Sequence, residues 1–196
     1  WYPGETVIVG IGQGYTLVTP MQLAQAVSTL ANNGVAMRPH LVSRIQQQNN
    51  PSGQTIPPVK MDEVSLNPNN VALVRAGMVN VTQPGGTAAS VGAGSSYSIA
   101  AKTGTAQVVG IKQGAKYNAG ALDERHRDHA LFVAYAPADD PKIALAVIVE
   151  NGGHGGSAAG PIARKVMDYY LLGKMPDEAK DTNKKPEPIV EDAPHD

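Results

Sequence analysis

With 196 residues and 42% hydrophobic side chains, the chain can bury a core, which excludes disorder throughout. A formal net charge of -1 and aromatics at 5% argue against a nucleic-acid-binding or acidic-membrane-binding surface. A Cys count of 0 excludes disulfides, cysteine-held zinc and a thiol nucleophile.

No apolar run approaches the ~18 residues a membrane helix needs, and no signal peptide opens the chain. Trp1-Tyr2-Pro3-Gly4 reads as sequence from within a domain, so an upstream part of a longer protein is expected. Residues 1–18 are rich in Gly and β-branched side chains and suit an irregular loop or a short strand. Thr19-Pro20-Met21-Gln22 starts a helix over 20–33. Thr19 caps it, Pro20 stands where no N–H is needed, and Gln22 completes a capping box. Leu23, Ala26, Val27 and Leu30 form its apolar face, and Gly34 supplies a left-handed stop. Residues 40–48 alternate as a strand, 49–53 turn, and Gln54-Thr55-Ile56 return as a hairpin arm. Asn67-Pro68 opens a second helix with Val71, Val74, Met78 and Val81 as its buried stripe, stopped at Gln83-Pro84-Gly85-Gly86.

Residues 97–109 are strand-like, and 110–128 form a long polar excursion. Two apolar strands follow, 129–136 and 143–150, joined by the tight reversal of Pro137 to Pro141 and hence antiparallel neighbours. A glycine-rich loop over 151–156 leads to a last helix that starts within 157–160, with Ile162, Val166 and Tyr169 or Tyr170 inward. Charge and proline dominate from Lys174, so 174–196 reads as a disordered tail and 1–173 as the folded part. Helices, then consecutive strands, then a covering helix make an α+β fold with an antiparallel sheet flanked by helices, not a doubly wound nucleotide fold.

The chemistry concentrates at Lys102-Thr103-Gly104-Thr105. A glycine inside a strand often marks a place where something approaches the backbone closely. Thr103 and Thr105 share one face by alternation. On an edge strand, a peptide carrying a carboxylate and an amide can lie against them as an added strand. Lys102 sets a cation beside that carboxylate, and the Thr105 N–H is placed to serve an oxyanion hole. A phosphate loop is excluded because Ala101, not Gly, precedes the lysine.

Ile11-Gly12-Gln13-Gly14-Tyr15, Thr19-Pro20-Met21-Gln22-Leu23-Ala24 and Gly85-Gly86-Thr87-Ala88 stand in order ahead of Lys102-Thr103-Gly104-Thr105-Ala106-Gln107. Arg127-Asp128-His129, Leu131 through Pro137, and Val149-Glu150-Asn151-Gly152-Gly153 follow it. The ordered set, within 1–173, resembles the C-terminal part of the transpeptidase domain of class B penicillin-binding proteins. Within that class it looks most like the Gram-negative elongation type. The resemblance implies a partial domain of the penicillin-binding and β-lactamase fold, and a serine D,D-transpeptidase of peptidoglycan synthesis. In such an enzyme a serine of an S-x-x-K motif is acylated by a stem peptide or a β-lactam. Carried over, Lys102 and Thr105 are catalytic and Lys102, Thr103, Gly104 and Thr105 bind substrate. Thr103 and Thr105 hydroxyls would hold the terminal carboxylate and the Thr105 N–H the oxyanion. The implied partners are stem peptides, β-lactams, the N-terminal part of the same protein, and the glycosyltransferase and scaffold proteins of cell elongation. The implied location is the periplasmic face of the inner membrane, with an anchor upstream. No cofactor or metal is implied.

The nucleophile is expected upstream: no serine here has lysine three residues on, and Ser98 is followed at that spacing by Ala101. Ser65-Leu66-Asn67 spells S-x-N but sits at a helix start and reads as a cap. Asp123, His126, Asp128 and His129 are metal-type side chains without a recognised ligand spacing. His129 is expected to orient the loop, and His154 to face solvent. Gly152 to Gly156 suits a strand-to-helix connection, or else an anion at a helix N-terminus. Gln107 stands one alternation past Thr105, at the border of the cleft. Two other readings remain open: a non-catalytic scaffold relative, and a β-lactamase or β-lactam sensor of the same fold.

Overall fold

The structure is a computed structural model that describes residues 2–10, 12, 14–48, 50–110 and 117–174. In chain order its elements are α1 (Pro3–Gly10), α2 (Pro20–Ala31), β1 (Val35–Met37), β2 (Arg44–Gln47), β3 (Asn50–Thr55) and β4 (Lys60–Glu63). They continue with α3 (Pro68–Asn80), α4 (Ala89–Gly92), β5 (Ala100–Ala106), β6 (His129–Ala136), β7 (Ile143–Val149) and α5 (Gly160–Leu172). A π-helical turn, Gly155–Ala159, runs directly into α5.

Helix α1 takes Pro3–Gly10 out of the loop or short strand expected for residues 1–18, whereas residues 14–18 form neither helix nor strand, in keeping with the loop. Its start is locally determined: Pro3 stands in the first turn, and the Glu5 carboxylate accepts the Tyr2 backbone N–H at 3.0 Å. None of its residues is buried, so no face of it imposes a periodic pattern on the sequence.

Helix α2 carries the expected capping box. The Gln22 N–H donates to Thr19 Oγ1 at 3.2 Å, and the Thr19 N–H donates to the Gln22 side-chain oxygen at 2.8 Å. It ends at Ala31, two residues short of the expected end, and Asn33 takes the left-handed conformation at φ 55. Gly34 follows at φ 97, where an added Cβ would lie 2.1 Å from the Val64 carbonyl oxygen. Glycine there lets β1 and β4 meet, with Val35 opposite Glu63 and Ala36 opposite Asp62. Val27 and Ala31 are the buried residues of α2, and Ala26 is exposed, contrary to expectation. The contact with the sheet selects the i, i+4 row through Val27 rather than the full apolar arc.

The expected hairpin is present, with Arg44 opposite Thr55 and Ile45 opposite Gln54, although its second strand already begins at Asn50. In α3 the Asn67 side chain accepts from the Asn69 and Asn70 N–H groups at 2.9 and 3.3 Å, which confirms the cap reading of Ser65-Leu66-Asn67. Val71 is buried, but Val74 is 49% exposed. Arg75, one position on, faces α2 instead and donates to the Leu30 and Ala31 carbonyls at 3.3 and 2.8 Å.

The central sheet has the order β5-β6-β7 and is antiparallel throughout. The chain reverses over residues 137–141, as expected, and the Lys142 N–H returns to the Ala136 carbonyl at 2.9 Å. Strand alternation splits the core into two layers. On one face Ala101, Ala130, Phe132 and Ala134 pack with Val91, Ala159, Ala163 and Met167. On the other, Ala100 and Tyr135 pack with Val27 and Ala31 of α2 and with Met78 and Val79. Phe132, Tyr135, Ile99 and Met167 are the largest fully buried side chains, and the three apolar ones are each worth roughly 1.5–3 kcal/mol of burial.

Helix α5 turns the opposite way from its expected orientation. Gly160, Ala163 and Met167 are buried, whereas Ile162, Val166, Tyr169 and Tyr170 are 46%, 45%, 54% and 62% exposed. The helix approaches its neighbours closely: a Cβ on Gly160 would meet Val91 Cγ2 at 2.6 Å. A face of small residues permits that approach, and larger ones do not. Within 110–128 the described part holds short 3-10 turns at Ala119–Ala121 and Glu124–His126. Residues 111–116 and 175–196 lie outside the described residues, and with them nearly all of the expected tail.

Candidate functional site

Lys102 through Thr105 occupy the middle of β5. β5 pairs with β6 on one side, Lys102 facing Val133, Thr103 facing Phe132, Gly104 facing Leu131 and Thr105 facing Ala130. Its other edge carries no strand among the described residues. The strand enters this stretch from Ala100 and Ala101, both at 0% exposure, and from Ile99, whose carbonyl accepts the buried Thr82 hydroxyl at 2.9 Å. A buried, hydrogen-bonded lead-in fixes where the exposed residues begin.

The Lys102 side chain is exposed and folds back so that Nζ donates to the Thr103 carbonyl at 2.8 Å. That carbonyl therefore faces the open edge, and alternation turns the Thr105 backbone toward the same edge. Thr103 and Thr105 are half-buried on the α5 face of the sheet, the face of Phe132 and Ala130 opposite them. The edge thus combines an ammonium, two hydroxyl residues on one face and, at Gly104, a position without a side chain.

Thr87, in the turn before α4, was not singled out by itself in the sequence. Its hydroxyl lies 3.2 Å from the Thr103 hydroxyl. Only its place in Gly85-Gly86-Thr87-Ala88 marked the region, because a contact between residues this far apart leaves no local pattern. A hollow of about 420 Å3, lined by Gly77, Asn80, Val81, Gly85, Gly86 and Thr87, opens beside it. Another, of about 400 Å3, lies at Asp123, Glu124, Arg125 and Asn151 and includes none of residues 102–105.

The charged residues after β5 hold the loop. Asp128, 6% exposed, accepts the Val108 N–H at 3.3 Å, and its own N–H donates to the Tyr117 hydroxyl at 3.0 Å. His129 Nδ1 accepts the Asn151 N–H at 2.9 Å, and the Asn151 side chain donates to the Arg127 carbonyl at 2.9 Å. Asp123 pairs with Arg125 at 3.6 Å on the surface, and His126 is half-buried. Among the described residues no three His, Asp or Glu side chains form a group that could hold a metal ion. His154 is exposed, as is Gln107 just past the end of β5. Ser98 accepts the Ala138 N–H at 3.0 Å and donates to Asp139 at 2.7 Å, and that donated bond holds the Asp139 carboxyl below its ordinary range.

Behind β5 a polar cluster ties α5 to the approach of the strand. The Tyr97 hydroxyl donates to Asp168 at 2.7 Å, and Arg164 Nε reaches both Asp168 oxygens at 2.9 and 3.0 Å. A second guanidinium nitrogen of Arg164 donates to the Val91 carbonyl at 2.7 Å, and its central carbon stands 5.6 Å from the Tyr97 ring centre. Burial, and next the bond to Asp168, raise the Tyr97 hydroxyl well above the ordinary tyrosine value. For Asp168, burial alone would raise the carboxyl, but Tyr97 and Arg164 together hold it below the usual range.

The penicillin binding protein transpeptidase domain model matches residues 1–168. The chain is 43% identical over 186 residues to the peptidoglycan D,D-transpeptidase MrdA of Haemophilus influenzae, covering 92% of this chain and 28% of that protein. It superposes on penicillin-binding protein 2 of Pseudomonas aeruginosa, solved in complex with WCK 5153, with a TM-score of 0.70 and 46% identity over 92% of this chain and 36% of that one. It also superposes on Helicobacter pylori penicillin-binding protein 2 in complex with MreC, with a TM-score of 0.64 and 31% identity over 88% of this chain and 28% of that one. The chain thus spans little more than a quarter of the length of the curated relative it matches. The match reaches from α1 into α5 and takes in the β5 edge with its lysine and hydroxyls, and on that extent the chain belongs to the penicillin-binding protein transpeptidase family.

Proposed function

We propose that this chain supplies the substrate-holding wall of a peptidoglycan D,D-transpeptidase whose nucleophilic serine lies in a part of the protein outside it. The observation that carries the reading is the open edge of β5, with Lys102 Nζ at the Thr103 carbonyl and Thr103 and Thr105 on one face. A stem peptide aligns along that edge as an added strand, and its terminal carboxylate meets the Thr103 and Thr105 hydroxyls beside the Lys102 ammonium. The serine oxygen attacks the penultimate D-Ala carbonyl, and the Thr105 N–H stabilises the oxyanion that forms. The peptide bond breaks, D-Ala leaves with the proton on its amine, and an amine from a neighbouring stem displaces the serine to close the cross-link. A β-lactam enters by the same carboxylate and stops at the acyl-enzyme. The work is placed at the periplasmic face of the inner membrane, with the elongation glycosyltransferase and MreC-like scaffolds as partners. No helix among the described residues is long and apolar enough to cross a membrane.

Labelling with a fluorescent penicillin tests this reading. A protein that joins this chain to its serine-bearing part is expected to label covalently. Lys102→Ala is expected to slow labelling about a hundredfold, the scale of losing a charge-assisted contact in a closed site. The chain alone is expected not to label. Labelling of the joined protein that ignores Lys102→Ala contradicts the assignment.

A further inference from the structure

The glycine-rich connection after β7 is neither an open anion site nor a slack linker, because Gly155 is buried and Gly156 half-buried against the substrate strand. Gly104 and Leu131 hold their side-chain positions on the sheet face opposite α5, which leaves bare backbone on the α5 face between the side chains of Thr103 and Thr105. The π-helical turn fills that trough. A Cβ on Gly155 would lie 2.0 Å from the Leu131 carbonyl oxygen, 2.7 Å from the Gly104 oxygen and 3.0 Å from the Gly104 nitrogen. A Cβ on Gly156 would lie 2.5 Å from the Thr87 carbonyl oxygen and 3.5 Å from Thr103 Cγ2. The turn is therefore wedged between β5 and the segment that carries Thr87, whose hydroxyl meets that of Thr103. π-Helical turns are rare and concentrate at functional sites.

We propose that the Gly155–Ala159 turn and Thr87 are positioning elements for the substrate strand: Gly155 sets the height of the Gly104-Thr105 backbone, and Gly156 with Thr87 aims the Thr103 hydroxyl. This rests on the transpeptidase reading above and deepens it. The chemistry follows from hydrogen-bond inventory. A threonine hydroxyl has one proton to give. When Thr87 donates to Thr103, the Thr103 proton remains for the carboxylate of a stem peptide or β-lactam, in a relay of two hydroxyls. The peptide group between Gly104 and Thr105 carries the oxyanion-donating N–H, and displacement of less than an ångström misaims it. The two halves of the device thus act on different steps: Thr87 and Gly156 on capture of the carboxylate, Gly155 on acylation itself.

The test uses the joined protein, with acylation by a fluorescent penicillin followed at several concentrations to separate the limiting rate from the half-saturating concentration. Thr87→Val, which keeps the shape and removes the hydroxyl, is expected to raise the half-saturating concentration about fivefold, as for one lost neutral hydrogen bond, with the limiting rate unchanged. Gly156→Ala is expected to act in the same direction. Gly155→Ala is expected to lower the limiting rate at least about tenfold, part of the ~10²–10³ that follows loss of a whole oxyanion donor. Gly4→Ala, in open space on α1, is expected to change neither. Thermal unfolding of the same preparations separates misplacement from misfolding. Should Gly155→Ala not fold, Thr87→Val decides the matter. Wild-type kinetics in a folded Thr87→Val protein, or a uniform loss of active fraction without the split, overturns the positioning role. In that event the transpeptidase reading stands as long as the wild type labels and Lys102→Ala does not. A wild type that fails to label overturns both.

Discussion

At the scale of single residues, the Tyr97-Arg164-Asp168 cluster is the polar feature with the clearest consequence for stability. Asp168 and Arg164 side chains are 23% and 18% exposed, so the pair is shielded from solvent more than a surface bridge. The carboxyl of Asp168 is held below its ordinary value, so the folded state binds fewer protons than the unfolded state in the acid range. That contribution is complete above about pH 4, the unfolded carboxylate value, and is lost as pH falls through the lower folded value. The Tyr97 hydroxyl is raised, so its contribution is complete below about pH 10 and is lost as pH rises beyond it. Melting temperature against pH is expected to fall on both limbs in the wild type. Asp168→Asn is expected to flatten the acid limb and Tyr97→Phe the alkaline one. Arg164→Met leaves the Asp168 carboxylate without its ion pair and the Val91 carbonyl without a donor, an expected loss of about 2–3 kcal/mol in urea unfolding. Arg164 and Asp168 stand at the i, i+4 spacing of a helix pair, but their link to Tyr97, 71 residues from Asp168, leaves no local pattern. The place of Lys102 to Thr105 in a strand was legible, because a glycine and two threonines at alternating positions mark a strand in the local pattern.

At the scale of elements, local chemistry was readable and tertiary orientation was not. The Thr19-Gln22 box and the Asn67 cap lie where the sequence puts them, since each is completed within three residues of chain. Thr19→Ala is expected to lower stability by about 1 kcal/mol, read as a lower urea midpoint with an unchanged slope. In α5 the large apolar residues suggest one inward face and the structure buries another, because its close seat admits Gly160, Ala163 and Met167. Val74 was misread for a related reason: Arg75 takes the interface with α2 through two backbone carbonyls. Helix α1 escaped notice because a helix with no buried residue writes no periodicity.

At the scale of the whole molecule, the central sheet is what carries the site. The strand order β5-β6-β7 leaves β5 at an edge, and buried Phe132 opposite Thr103 anchors the middle of the sheet to α5. Phe132→Ala is expected to remove about 3–5 kcal/mol and to abolish penicillin labelling only to the extent that it unfolds the protein, which parallel unfolding curves resolve. The chain spans little more than a quarter of a curated relative, and on the reading proposed above β5, open at one edge, is one wall of a site whose serine lies in the rest of the protein. A crystal structure of the joined protein acylated by a penicillin is the most direct measurement of that arrangement. The expected result places the penicillin carboxylate within hydrogen-bond reach of the Thr103 and Thr105 hydroxyls and the acyl carbonyl oxygen on the Thr105 N–H. An adduct whose carboxylate and carbonyl both lie away from β5 contradicts it.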